Sequence, residues 1–130
     1  MVASKSTNSG ISWTRFTLGP GYAFTLAIDP DNSSIVYCGG SGGIYKTTNG
    51  GASWTSVSTG ITDTVFDLVI DPANTLIIYA GTPDGVFKTT NGGGSWINTG
   101  CSETRTLLFD PGQNRIYAGG DQGIFVSTNG

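Results

Sequence analysis

The chain has 130 residues, of which 21 are glycine, 12% are charged and none is histidine. Without histidine there is no Ser-His-Asp or Cys-His nucleophile system, no histidine-ligated zinc and no imidazole pH switch. Six Lys and Arg against nine Asp and Glu give a net charge of -3 without any basic run, which argues against a nucleic-acid backbone or an anionic membrane as partner.

In chain order, residues 1–5 read as a loose tail or the remnant of a strand, and they lack the apolar core of a secretion signal. No stretch approaches the ~18 apolar residues of a membrane-spanning helix, so the compartment stays open. STNSGISW follows from Ser6 to Trp13 and leads into a strand at 12–17. Then come β-rich runs at 22–29, 34–39, 43–48 and 53–58, again at 65–71, 75–81, 85–90 and 95–100, and again at 104–110, 115–119 and 123–128. Clusters of Gly, Pro, Asn and Asp separate them, as expected of strands joined by tight turns.

The runs repeat. GIYKTTNGGASW at 43–54 returns as GVFKTTNGGGSW at 85–96 with nine of twelve positions identical, and GIFVSTNG from Gly123 to Gly130 is a further copy. Asn8, Asn49, Asn91 and Asn129 are spaced by 41, 42 and 38 residues. A period near 40 without helical patterning points to propeller blades. The fold class is therefore all-β: a β-propeller of four-stranded antiparallel blades, strands A to D, with blades at 22–58, 65–100 and 104–128.

Between strands C and D recurs the box S/T-x-N-x-G-x-S-W. It comprises Ser6, Asn8, Gly10 and Trp13, then Thr47, Asn49, Gly51 and Trp54, then Thr89, Asn91, Gly93 and Trp96, with its first half again at Ser127 and Asn129. The glycine accepts positive φ, the Asn and Ser/Thr side chains bond local backbone, and the Trp supplies an apolar anchor between sheets. These residues resemble the Asp-box (BNR) repeat of sialidases, sortilin-type receptors, family 74 glycoside hydrolases and Ycf48-type photosystem II assembly factors, with Asn where that family most often has Asp. With IDP and VYCGG or IYAGT included, the resemblance covers essentially the whole chain and is nearest the family 74 and Ycf48-like branch. It implies a propeller whose boxes are structural. Family 74 enzymes use a cleft between two propellers, which the short loops here do not build, and the arginine triad of sialidases has no counterpart in Arg15, Arg105 and Arg115.

Three blades leave two apolar faces, and the third blade has no strand D after it. The expected closure is a homodimer, six blades in all, in which residues 12–17 of each chain supply strand D to the other by strand exchange. The chain reads as a non-catalytic structural module that self-associates, whether natural fragment or engineered piece. The alternatives are a carbohydrate-binding or family 74-like hydrolase piece and a protein-binding scaffold of Ycf48 or sortilin type. No catalytic, cofactor-binding or metal residue is assigned: no glycine cluster has phosphate-loop spacing, and the acids form no metal loop.

Strand parity puts the D-to-A and B-to-C connections on one rim. Its non-repeating residues are Tyr22, Asp63, Asp84, Glu103, Arg105, Asp121 and Gln122, the candidates for ligand contact. Asp84 and Asp121 also suit plain hairpin turns. Asp67, where the sibling positions are Thr25 and Thr106, is expected in the central channel, either solvated or as one of a pair of acids. Asp29, Asp71 and Asp110, each before Pro, read as turn formers. Cys38 replaces an alanine of the sibling units and reads as a small buried residue, and Cys101 has no CxxC partner.

Overall fold

The computed structural model describes residues 1–129; the last residue of the third unit, Gly130, lies outside them. The described residues form an all-β structure of antiparallel strands in four sheets, with no helix. β1 (Val2–Lys5) pairs with β2 (Thr14–Thr17). β3 (Ala23–Ile28), β4 (Val36–Gly40), β5 (Gly43–Thr47) and β6 (Thr55–Ser56) make a four-stranded meander. β7 (Asp67–Ile70), β8 (Ile78–Thr82), β9 (Gly85–Thr89) and β10 (Ile97–Asn98) make a second, and β11 (Thr106–Asp110), β12 (Arg115–Gly120) and β13 (Gly123–Ser127) a three-stranded third.

The sequence repeat is a repeat of register. Tyr37 faces Lys46 across β4 and β5, Tyr79 faces Lys88 across β8 and β9, and Tyr117 faces Val126 across β12 and β13. β3, β7 and β11 stand side by side, so the first strands of the three sheets form one inner wall. The core lies between sheets, not within any one of them. Tyr37, Ile44, Ile61, Val65, Leu68, Ile78, Ala80 and Trp96 fill the first interface, and Tyr79, Val86, Leu107, Ile116 and Ala118 the second. Close approach sets some of the glycines: a Cβ on Gly39 would stand 2.7 Å from Val65 and 2.9 Å from Thr25. Gly85 is required twice over, by a φ of 112° and by the Cys101 carbonyl 1.9 Å from where its Cβ would be.

The structure alters or refines three expectations. The outermost strands, read as 53–58 and 95–100, shrink to Thr55–Ser56 and Ile97–Asn98. The box consumes the residues before them, and side chains take over the ladder after them: Ser58 Oγ accepts from Ile44 N at 2.7 Å, and Thr99 Oγ1 donates to Val86 O at 2.9 Å. Of the two readings of residues 1–5, a loose tail and the remnant of a strand, residues 2–5 take the second. Within one chain, residues 14–17 pair with that strand, which leaves β13 at the edge of the third sheet. The Asp-Pro turns are Asx turns, in which Asp29, Asp71 and Asp110 accept backbone N–H bonds from two residues on, at 2.9, 2.8 and 2.9 Å.

Candidate functional site

The box has the same hydrogen bonds in each complete copy. Ser6, Thr47 and Thr89 donate their hydroxyls to Asn8, Asn49 and Asn91 Oδ1 at 3.0, 2.9 and 2.8 Å, and accept from the N–H of Gly10, Gly51 and Gly93 at 2.8, 3.0 and 3.1 Å. Each Asn Oδ1 also accepts the N–H of Ser12, Ser53 or Ser95, and its amide donates to that serine's hydroxyl. The amide proton gives Asn a bond that an Asp carboxylate could not donate. In the incomplete copy Ser127 bonds Asn129 at 3.0 Å. The Ser or Thr, Asn and Ser side chains of each complete box therefore bond to one another and to the box's own backbone.

The second and third boxes are seated on the sheet before them. The Gly92 carbonyl accepts from Tyr37 OH and from Lys46 Nζ, both at 3.1 Å, and Lys5 Nζ reaches Gly50 O at 3.1 Å. Trp96 is buried with its indole N–H on Val57 O at 2.7 Å, Trp54 is half-buried, and Trp13 is 65% exposed. The expected anchoring thus holds fully for one Trp of three, because Trp13 has no described sheet before it to pack on.

The inner wall carries a second constellation. Asp67 Oδ1 accepts from Thr25 Oγ1 at 3.1 Å and from its neighbour Leu68 N at 2.9 Å; Oδ2 accepts from Leu107 N at 2.8 Å and Thr106 Oγ1 at 3.4 Å. The carboxylate therefore ties β3, β7 and β11 together, accepting at both oxygens, and within one chain it is half-buried.

One position earlier, Phe24 on β3 and Phe66 and Arg105 immediately before β7 and β11 form a row. The phenyl centroids lie 6.3 Å apart and the Arg105 guanidinium sits 5.2 Å from the Phe66 ring. Arg105 is held by Glu103 at 2.7 Å and Asp121 at 3.1 Å. Asp121, then Glu103, push its pKa further up, so it stays a cation at any working pH. Of the rim candidates, Glu103, Arg105 and Asp121 are brought together. The others keep to their own turns: Tyr22 is 75% exposed with its N–H on Ser41 Oγ, Asp63 accepts from Thr64 N, Asp84 closes the β8–β9 hairpin through Thr82, and Gln122 is exposed. Phe24 and Phe66 were not among the sequence candidates. The signal for them was their shared phase with Arg105 in the repeat. Among the described residues no cluster of three or more Cys, Asp or Glu is placed to hold a metal.

No protein-family model matches the chain, and neither does any curated protein sequence. Solved structures do match. An ancestral GH74 enzyme superposes on 97% of this chain with a TM-score of 0.81 at 28% identity, and the GH74 enzyme of Niastella koreensis on 89% with 0.77 at 26%. Ycf48 bound to D1 peptide superposes on 98% with a TM-score of 0.71 at 15% identity, a likeness of fold alone. The chain is built like part of a β-propeller. It spans 20% and 21% of the two GH74 enzymes and 45% of Ycf48.

Proposed function

We propose that this 130-residue chain is a non-catalytic propeller segment of the Asp-box type, three blades per chain, that closes into a six-bladed ring with a second copy. The observation that carries this reading is a pair of complementary strand edges. The third sheet stops at β13, whose Ile124 is 77% and Val126 49% exposed, while the chain's first sheet holds a fourth-type strand, β2, with only a short partner. An exposed apolar edge strand recruits another strand. Two copies related by a twofold axis satisfy both ends at once.

Sedimentation equilibrium at micromolar concentration tests it: the expected species has twice the chain mass of 13.4 kDa, and a persistent monomer overturns the ring. The GH74 likeness at 28% identity supports a second reading, a sugar-binding or sugar-cleaving segment. The first reading predicts no reducing ends released from xyloglucan. Hydrolysis abolished by Asp67→Asn would reverse the preference.

A further inference from the structure

The two interfaces between sheets are built alike except for one side chain. In the first, Trp96 heads β10, donates its indole N–H to Val57 O at 2.7 Å and its backbone N–H to Thr59 O at 2.9 Å, and packs with Tyr37, Ile44, Ile78 and Ala80. One repeat further on, the counterparts of those four are Tyr79, Val86, Ile116 and Ala118. They line an open cavity of about 240 Å³ whose wall is completed by Thr99, Gly100 and Cys101 and, from β13, by Phe125, Val126 and Ser127. Thr99 stands in the repeat where Val57 stands, so its carbonyl is placed as the indole acceptor. One indole on the molecule remains mostly outside a core: Trp13 heads β2 as Trp96 heads β10, is 65% exposed at the side of an open cleft of about 260 Å³, and bonds only its own box at Gly10 O, 3.1 Å.

Resting on the self-association reading, we infer that Trp13 of a second copy fills the cavity between the second and third sheets, and that β1 is the strand displaced to admit it. In one chain Lys5 faces Thr14 and Ser4 faces Arg15. The β5–β6 ladder, Lys46 to Thr55 and Tyr45 to Ser56, fixes what the exchanged register would be: Val126 to Thr14 and Phe125 to Arg15 across the two copies. β1 and the second copy's β13 therefore compete for the same edge of β2. β1 offers exposed Ser4 and Lys5 there, whereas β13 brings Phe125 and Val126, 39% and 49% exposed, out of water. The exchange also buries the indole in a socket already shaped by its siblings, and a central buried Trp is the usual anchor of an interface.

The test compares the chain with Trp13→Ser and with a variant lacking residues 1–5. Sedimentation equilibrium gives the affinity, and the alkylation rate of Cys101, in the cavity wall, reports whether the cavity is filled. Trp13 is exposed in the single chain, so Trp13→Ser keeps the fold, checked by circular dichroism. It is expected to weaken self-association roughly 30-fold or more. Cys101 alkylation is expected to slow as the wild-type chain associates and to stay fast in Trp13→Ser. Removing residues 1–5 takes away the competitor together with Met1, which is buried against Cys38 in the single chain; with the second copy's β13 in that place, association is expected to tighten about tenfold. A dimer equally tight in Trp13→Ser, with Cys101 still open, overturns the inference while the ring stands. A wild-type chain that stays monomeric overturns the ring. An assembly larger than a dimer that Trp13→Ser disperses supports the socket and overturns the count of six blades. Association unchanged or weakened by the deletion overturns the competition.

Discussion

Asp67 shows how one carboxylate can hold a repeat structure together where its siblings cannot. Thr25 and Thr106 present hydroxyls on either side, and only the middle strand carries the acceptor that answers both, along with the N–H of Leu107 on the third sheet. Asp67→Ala strands these donors and is expected to destabilise the chain by about 2–4 kcal/mol in urea unfolding. Asp67→Asn keeps one acceptor and is expected to cost less than half of that. An Ala variant as stable as the parent would mean the tie contributes nothing. The position was visible in the sequence as the odd residue in its column, but its role was not: it depends on three strands 39 and 42 residues apart arriving at one height. Cys38 was simpler. Fully buried against Met1, its thiol is pushed up by burial, partly offset by the N-terminal ammonium. Burial is the larger of the two effects, so the thiolate is withheld. In dilute native protein iodoacetamide is expected to modify half-buried Cys101 and to spare Cys38 until denaturant is added; mass spectrometry of the tryptic peptides checks this.

At the scale of the element, the box explains why strands this short are defined at all. Thr55–Ser56 and Ile97–Asn98 have two residues each, too few to hold an edge by ladder bonds alone. The box before each of them fixes the chain's direction, and Ser58 or Thr99 after it fastens the far side. Asn49→Ala removes two accepted bonds and one donated bond and is expected to cost about 1–2 kcal/mol. Asn49→Asp is expected to stay within about 0.5 kcal/mol, since the carboxylate keeps both accepted bonds and the Ser53 hydroxyl turns to donate. Thermal melts of the two variants separate a fastening from a mere turn: equal losses would show that the side-chain bonds do not matter. This element was nearly all readable beforehand, because its logic is local and its spacing fixed. What was not readable was the choice between tail and strand for residues 2–5, which pair with the edge of β2, and the exposure of Trp13, which depends on what precedes it in space.

For the whole molecule, the distribution of the core decides the behaviour. The apolar side chains sit between sheets, so each sheet is stabilised by its neighbours and the two outer faces by whatever covers them. A repeat array with uncovered ends loses the interface energy at both. If a second copy covers them, folding and association are one process, and stability must depend on protein concentration. Each tenfold rise above the dissociation constant then adds about 1.4 kcal/mol per dimer, which for a unit of this size raises the melting temperature by roughly 2–4 °C. Scanning calorimetry over a hundredfold range of concentration measures this directly. A flat melting temperature would mean that the sheets of one chain stabilise one another sufficiently without a second copy. A rise that Trp13→Ser flattens, with the melting temperature at high dilution unchanged, would place the missing interface energy at the cavity beside Cys101, since Trp13 is 65% exposed within a chain.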